Sequence, residues 1–362
     1  MHLPKLVIGK LTLDLPIIQG GMGVGVSRAG LAAAVSAAGG LGVIASVGLG
    51  ELEGEITRPY IERSRESLRK EIRKVKDQGL PVGVNIMVAL TNYGSLVEVC
   101  VEEKVDAIIS GAGLPLRLPG YAKDSSTSLI PIVSSGRATD IVCKTWLSKY
   151  NRLPDAFVVE GPMAGGHLGF KFDELENEKE KPLETLVQDV LAVAESYGKA
   201  HGKKIPVIAA GGIYTGQDIA RFLRLGASGV QMGTRFVATH ECDASIEYKQ
   251  AFINSSEKDV IIIHSPVGMP ARVINNAFVE RSQRGVKSKF TCTYKCLITC
   301  HAKDANYCIA EVLLNACKGD FRDGFAMCGK NAYKIDKIVS VKELMGELVA
   351  GLRSEGYETS RA

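Results

Sequence analysis

The sequence has 362 residues, of which 46% are hydrophobic and 23% charged, a balance typical of a protein with a full apolar core. Its net charge of +4 is small and no long lysine and arginine run stands out, which argues against a nucleic-acid groove. The first ten residues lack the apolar stretch of a signal peptide, and residues 24–49 are interrupted by Arg28 and several glycines, unlike a membrane span. We expect a cytoplasmic protein with a small-molecule substrate and no nucleic-acid or membrane partner, and we consider a homodimer.

Short apolar runs alternate with helix-length amphipathic segments along the first part of the chain. Each run is too short for a helix and too continuously apolar for a strand with one wet face, as is typical of buried parallel strands. We predict strands at residues 16–19, 41–45, 82–86, 107–110, 130–134, 156–160, 206–210 and 229–232. We predict helices at residues 27–38, 60–78, 136–150, 183–198 and 216–225. Eight such units predict an α/β fold, a (β/α)8 TIM barrel, with a doubly wound open sheet as the alternative.

Two helix starts are predicted from their capping residues. Ser27 and Thr215 occupy predicted N-cap positions, and Thr215 with Asp218 has the spacing of a capping box.

The chain is predicted to divide near residue 250. Beyond the barrel we predict a strand at 260–264 and a final helix at 341–352. We therefore expect a barrel over residues 1–250 and a C-terminal extension over 251–362, a helical subdomain or lid that packs on the barrel mouth.

The turns after the last two predicted strands are rich in glycine. Gly211 and Gly212 follow the seventh strand, and Gly233 and Thr234 follow the eighth. In such a barrel, ligands bind at the carboxyl ends of the strands, and a phosphate often lies after strands seven and eight. Glycine amides can face an anion without an intervening Cβ, and a helix N-terminus favours negative charge. We therefore predict a phosphate here, rather than glycines that only make tight turns.

The sixth predicted strand ends in the segment EGPMAGGHLG, residues 160–169. His167 lies between glycines at the expected barrel mouth, and the ordinary pKa of imidazole suits proton transfer near neutral pH. We predict His167 as the catalytic residue. The glycine-rich end of the first strand would bring backbone to the barrel axis, where a flat ring could rest. Asn85 and Ser135, at the ends of strands three and five, can hydrogen-bond the edge of such a ring.

Five segments occur in a characteristic order: PIIQGGM (16–22), SGAGLP (110–115), AGGHLG (164–169), AGGI (210–213) and VQMGTRF (230–236). Together they resemble the nitronate monooxygenase family, formerly called the 2-nitropropane dioxygenases. The FMN-dependent enoyl-ACP reductase II enzymes belong to the same group. One departure is Met163, which stands where the family commonly has an acidic residue.

The resemblance implies an oxidoreductase with FMN bound at the barrel mouth, its phosphate on the two glycine turns and its ring beside His167. The predicted cofactor-binding residues are Gly21, Met22, Asn85, Ser135, Glu160, Gly165, Gly166, Gly211, Gly212, Gly233 and Thr234. The expected activity is that of a nitronate monooxygenase, the oxidative denitrification of alkyl nitronates. One alternative is an enoyl reductase that uses FMN and takes electrons from NAD(P)H. Another is a flavin-free barrel that binds a phosphate ligand.

The nine cysteines indicate a reducing compartment, and six of them fall between Cys292 and Cys328. Cys292, Cys296, Cys300 and Cys308 are separated by three, three and seven residues, without the C-x2-C spacing that strongly indicates a metal site. Buried or incidental thiols, with no bound metal, are the default prediction. An iron–sulfur cluster on these four cysteines is the alternative.

Overall fold

The structure is a computed structural model that describes residues 1–52, 58–292 and 295–358. Its strands are β1 Leu6–Ile8, β2 Leu11–Leu13, β3 Ile17–Gln19, β4 Val43–Ala45, β5 Gly83–Met87, β6 Ala107–Gly111, β7 Ser128–Val133, β8 Phe157–Glu160, β9 Gly166–His167, β10 Val207–Ala210, β11 Gly229–Met232, β12 Val260–His264 and β13 Pro270–Ile274. Its helices are α1 Ala29–Ala37, α2 Leu49–Leu52, α3 Tyr60–Lys76, α4 Tyr93–Glu102, α5 Leu118–Tyr121, α6 Gly136–Tyr150, α7 Phe172–Glu176, α8 Leu183–His201, α9 Gly216–Arg224, α10 Thr234–Val237, α11 Ile246–Ile253, α12 Ala277–Gln283, α13 Ile309–Cys317 and α14 Val341–Ser354.

Eight parallel strands form one closed barrel. Their order is β3, β11, β10, β8, β7, β6, β5 and β4. The two ends of this series meet, because the Gln19 amide donates to the Leu41 carbonyl at 2.9 Å and the Leu41 amide to the Ile17 carbonyl at 3.0 Å. The TIM-barrel prediction is confirmed, and the doubly wound open sheet is wrong.

The strands are apolar on both faces because the barrel is packed on both sides. Ile18 and Ile109 point into the interior cluster, whereas the adjacent Ile17 and Ile108 pack in the cluster that the surrounding helices share. The antiparallel hairpin of β1 and β2 adds Leu6 to the interior cluster. It covers the end of the barrel where the strands begin, so the carboxyl ends of the strands form the other, ligand-accessible face.

One of the two predicted helix caps is correct. Thr215 caps α9, and with Asp218 it forms a reciprocal capping box. Ser27 does not cap α1: its hydroxyl accepts from the Met22 amide at 2.8 Å and stabilises the turn after β3. The start of α1 is instead capped by Asp243, whose carboxylate accepts the Arg28 amide at 2.7 Å. A residue so distant in sequence leaves no local signal.

The C-terminal part of the chain packs both at the barrel mouth and on the outside of the barrel. Strands β12 and β13 pair with each other and, through β13, with β9 at the barrel mouth. The last helix, α14, packs against α9 and α1 on the outside of the barrel; a Cβ on Gly216 would come 2.2 Å from the Leu348 carbonyl oxygen. The division at residue 250 stays a prediction. Among the described residues, no helix combines the length and apolarity needed to span a membrane.

Candidate active site at the carboxyl ends of the strands

The turn after β3 forms one wall of the site. Gly21 packs directly on Asn85, since a Cβ on Gly21 would lie 2.4 Å from the Asn85 Cβ. The Asn85 side chain donates from Nδ2 to the Ile109 carbonyl at 3.3 Å, which holds it across the ends of β5 and β6. Only glycine allows the β3 turn to approach Asn85 this closely.

His167 is held at the mouth by pairing and by one hydrogen bond. Strand β9 carries it and pairs antiparallel with β13, where Ala271 is its partner. Its Nε2 lies 2.8 Å from the Ser265 hydroxyl, at the tip of the β12–β13 hairpin. Burial lowers the pKa of His167 to about 4, so the imidazole is neutral at pH 7. A neutral imidazole has one donor and one acceptor nitrogen, and it can therefore orient an anion or accept a proton.

Two polar side chains, from the strands on either side of β10, line the same cavity. Glu160 ends β8, and burial raises its carboxyl pKa to about 7, so the group can carry a proton near neutral pH. Gln231, on β11, has a buried Oε1 with no hydrogen-bond partner among the described residues. A buried acceptor of this kind is normally satisfied, and it is suited to an N–H group of a bound ligand.

The turn after β10 has the backbone conformation that the phosphate prediction needs. Gly211 and Gly212 have φ values of +97° and +80°, which other residues rarely adopt. A Cβ on Gly212 would lie 2.9 Å from the Met163 Cβ. The Asn331 side chain donates from Nδ2 to the Gly212 carbonyl at 2.8 Å and fixes the turn from the C-terminal part of the chain.

The turn after β11 is held in a similar way. The Thr234 hydroxyl accepts the Gly329 amide at 2.8 Å. The neighbouring Arg235 places its guanidinium carbon 4.4 Å from the centre of the Tyr214 ring and forms an ion pair with Glu347 at 2.6 Å. These contacts place a cation beside the two glycine turns, where an anionic group would be favoured.

These elements enclose one cavity of about 580 Å³. It is lined by the following residues that the sequence predicted: Gly21, Met22, Asn85, Glu160, Gly165, Gly166, His167, Gly211, Gly212, Gly233 and Thr234. Ser135 does not line it, so the structure does not bring it together with the other predicted residues. Strand β7 ends at Val133, so Ser134 reaches the cavity, while the Ser135 hydroxyl accepts the Ala138 amide at 3.2 Å as the N-cap of α6.

The sequence interpretation missed part of the lining. Arg235 lies in the VQMGTRF segment, but the sequence analysis assigned it no role. Gln231 lies within a predicted strand, where nothing local marks it as a site residue. A continuous stretch from the C-terminal part of the chain, residues 327–331, also lines the cavity. It lies against the AGGH segment so closely that a Cβ on Gly165 would be 2.6 Å from the Gly329 nitrogen. The family resemblance extends weakly over residues 324–352, which include this stretch, but it assigned these residues no role.

The residues present fit FMN. The cavity has a size common among sites for small molecules. Gly211 and Gly212 have no side chain that would press into residues 161–164, and their turn lines the cavity directly before α9, a position suited to an anion. Gln231 Oε1 is an acceptor that a flavin ring N–H can satisfy. Gly21, Met22 and Gly166 line the same cavity, and their contact with the flavin ring stays a prediction.

Sequence comparison identifies relatives over most of the chain. A family model described as nitronate monooxygenase matches residues 5–351. The chain is 31% identical over 306 residues to a "Probable nitronate monooxygenase" of Staphylococcus saprophyticus, covering 78% of this chain and 81% of that protein. It is 30% identical over 282 residues to a Mycobacterium tuberculosis protein, covering 76% of this chain and 68% of that one. The latter is named (3aS,4S,5R,7aS)-5-hydroxy-7a-methyl-1-oxo-octahydro-1H-indene-4-carboxyl-CoA dehydrogenase.

Comparison with solved structures gives the same grouping. FabK from Thermotoga maritima superposes with a TM-score of 0.72 and 32% sequence identity, covering 95% of this chain and 94% of that chain. The flavin-free barrel is therefore set aside as an alternative. With the family model matched across nearly the whole chain, the protein belongs to the nitronate monooxygenase family and is an FMN-dependent oxidoreductase.

Proposed function

We propose that this protein oxidises alkyl nitronates with FMN, as a nitronate monooxygenase does. The observation that carries the proposal is the neutral His167 imidazole, held by Ser265 at the mouth of a glycine-lined cavity. The family match and the relative from Staphylococcus saprophyticus support it. When bound, FMN supplies the oxidation–reduction chemistry, and the protein supplies orientation and electrostatics.

His167 has a specific part in this proposal. Nε2 forms a hydrogen bond with Ser265. The other ring nitrogen has no hydrogen bond among the described residues, and it is therefore available to the substrate. A neutral ring can donate one hydrogen bond to a nitronate oxygen or accept a proton from the parent nitroalkane. Because the ring is neutral well above pH 4, it does this without adding a buried charge of its own to that of the nitronate.

The remaining residues hold the cofactor and exclude water. In the proposal, the turns at Gly211–Gly212 and Gly233–Thr234 bind the FMN phosphate through backbone amides. The nearby Arg235 favours the negative charge at that end. Residues 327–331 lie against the AGGH segment and hold both glycine turns, through the Gly329 amide and the Asn331 side chain, so they cover the cavity at that end.

Anaerobic titration tests the proposal. The purified protein should be yellow, and an alkyl nitronate added without nicotinamide should bleach its visible absorption rapidly. The His167→Ala variant should keep its FMN and bleach far more slowly. If nitronate leaves the spectrum unchanged while NADH or NADPH bleaches it, the proposed activity is wrong.

An NAD(P)H-dependent enoyl reductase is the second candidate. FabK from Thermotoga maritima, an enoyl-ACP reductase II, is similar over 95% of this chain, and the relative from Mycobacterium tuberculosis is named for a CoA thioester. Glu160 favours this candidate, because a carboxyl with a pKa of about 7 can donate the proton that reduction of a carbon–carbon double bond requires. Rapid bleaching by NADH or NADPH, followed by reoxidation with an enoyl thioester, would support it.

A further inference from the structure

One buried arginine beside the cavity has no acidic partner. Arg272 lies on β13 and is only 5% exposed. Its guanidinium donates a hydrogen bond from Nη1 to the Ala164 carbonyl oxygen. No carboxylate among the described residues forms an ion pair with it. Buried arginines are normally paired, because an isolated charge is costly to remove from water. The charge of Arg272 therefore needs an explanation.

Arg272 lies directly behind the wall of the cavity. Ala164, whose carbonyl it holds, lines the cavity, and so do the two glycines that follow. The Arg272 carbonyl accepts the Cys328 amide at 3.0 Å, and Cys328 is also a lining residue. In the pairing of β13 with β9, Arg272 stands opposite Gly166. The guanidinium thus contacts residues that themselves enclose the space assigned to FMN.

The hydrogen bond of Arg272 holds the AGGH segment, residues 164–167. Gly165 and Gly166 have no side chains with which to anchor this backbone, and Gly166 has a φ of +76°. The bond to the Ala164 carbonyl fixes the peptide group that precedes these two glycines and His167. A neutral donor would be sufficient for this purpose. Holding the segment therefore explains the hydrogen bond of Arg272 but not its charge.

The charge of Arg272 is only partly compensated. Burial lowers the pKa of Arg272, while Cys328 and Glu180 act in the opposite direction, and a guanidinium keeps its proton in proteins. Glu180 has a buried Oε1 that finds no hydrogen-bond partner in the part of the chain that the structure describes, so it does not neutralise Arg272 directly. A charge away from water is screened weakly and acts over a longer distance than one at the surface. An anion in the cavity is therefore stabilised by Arg272.

We propose that Arg272 is a positioning residue whose buried positive charge also favours negative charge on the flavin ring. When a neutral flavin ring takes two electrons from the substrate and one proton, one negative charge remains on the ring. Arg272 stabilises that charge, and it thereby makes the bound cofactor easier to reduce. This deepens the proposed function and rests on it for the presence of FMN in the cavity, but it holds for a nitronate or for NAD(P)H as the electron donor.

The test compares two substitutions of Arg272 in the FMN-loaded protein. Arg272→Gln keeps a hydrogen-bond donor without the charge, and Arg272→Lys keeps the charge. The probe is sulfite, whose sulfur donates an electron pair to form a bond with the oxidised ring, so that the ring becomes negative and loses its visible absorption. In Arg272→Gln the Kd for sulfite should rise roughly tenfold or more, and the midpoint potential of the flavin should fall. Arg272→Lys should retain both values nearly unchanged.

Arg284→Gln is the matched control. The Arg284 side chain is 77% exposed at the end of α12, so solvent screens its charge and its loss should change neither value. Equal effects of Arg272→Gln and Arg272→Lys would indicate a structural role alone and would overturn the proposal. Weaker FMN binding with an unchanged Kd for sulfite would also overturn it, because the charge would then act on the phosphate rather than on the ring.

Glu180→Gln provides a second measurement in case the Arg272 variants fold poorly. Glu180 is half-buried, and removal of its charge leaves that of Arg272 less compensated. The Kd for sulfite should therefore fall severalfold, and an unchanged or higher Kd would contradict the proposal. Sulfite binding and the midpoint potential are measured without substrate, so they do not depend on which substrate the protein uses. A purified protein that binds no FMN would instead contradict the proposed function itself.

Discussion

The phosphate-binding role of the turn after β10 can be tested with one methyl group. In Gly212→Ala, a residue with a Cβ is forced to a φ of +80°, which costs about 1–2 kcal/mol for an L-amino acid. The new Cβ would also lie 2.9 Å from the Met163 Cβ. Both effects are relieved only if the turn shifts, and the shift moves the amides that we propose to bind the phosphate. Since about 1.4 kcal/mol is tenfold in affinity, we expect the Kd for FMN to rise tenfold or more.

Gly202→Ala is the matched control for this experiment. Gly202 has a φ of +62° at the end of α8, and a Cβ there meets nothing within 4 Å. Its backbone strain should lower the melting temperature, as in Gly212→Ala, but should not change FMN affinity. The assay is titration of the apoprotein with FMN, followed by quenching of flavin fluorescence. The same Kd in Gly212→Ala and the unmodified protein would refute the assignment of this turn to the phosphate.

Three further predictions concern the ring end of the cavity. His167→Ala should retain FMN while the turnover number falls roughly 10²–10⁴-fold, the usual range for loss of an acid–base group; full turnover would remove His167 from the mechanism. Ser265→Ala removes the hydrogen bond to His167, a neutral bond worth about 1 kcal/mol. Turnover should therefore fall roughly fivefold in stopped-flow assays. An unchanged rate would contradict a role for Ser265 in positioning His167. Glu160 has a pKa of about 7 and becomes negative as the pH rises through that value. The KM for an anionic nitronate should therefore rise above pH 7, and Glu160→Gln should abolish that rise; a pH dependence that survives the substitution would exclude Glu160 as its cause.

The barrel could be predicted because its signals are local. Each strand is a short apolar run, and the eight runs recur with helical segments between them. The predicted strand at 229–232 matches β11 residue for residue, and that at 260–264 matches β12. Errors are confined to ends, as at 130–134, where β7 begins at Ser128 and stops at Val133. Because of that small shift, Ser134 lines the cavity, whereas Ser135 was the serine that the sequence analysis predicted there.

The site could be predicted in outline for the same reason. Carboxyl ends of parallel barrel strands meet at one face, so the strand-end glycines and His167 were expected together, and they line one cavity. The partners that hold them were not predictable. Ser265 is 98 residues from His167, and Asn331 is 119 residues from Gly212. Hydrogen bonds across such separations follow from packing and leave no periodic or spacing signal in the chain.

The amino-acid sequence alone determined the barrel, the order of its strands and the glycine turns at their ends, because these depend on local apolar pattern and backbone freedom. Tertiary structure decided which long-range partners fix the imidazole and the phosphate turns. It also decided the protonation states of His167 and Glu160, since burial is a property of the folded molecule.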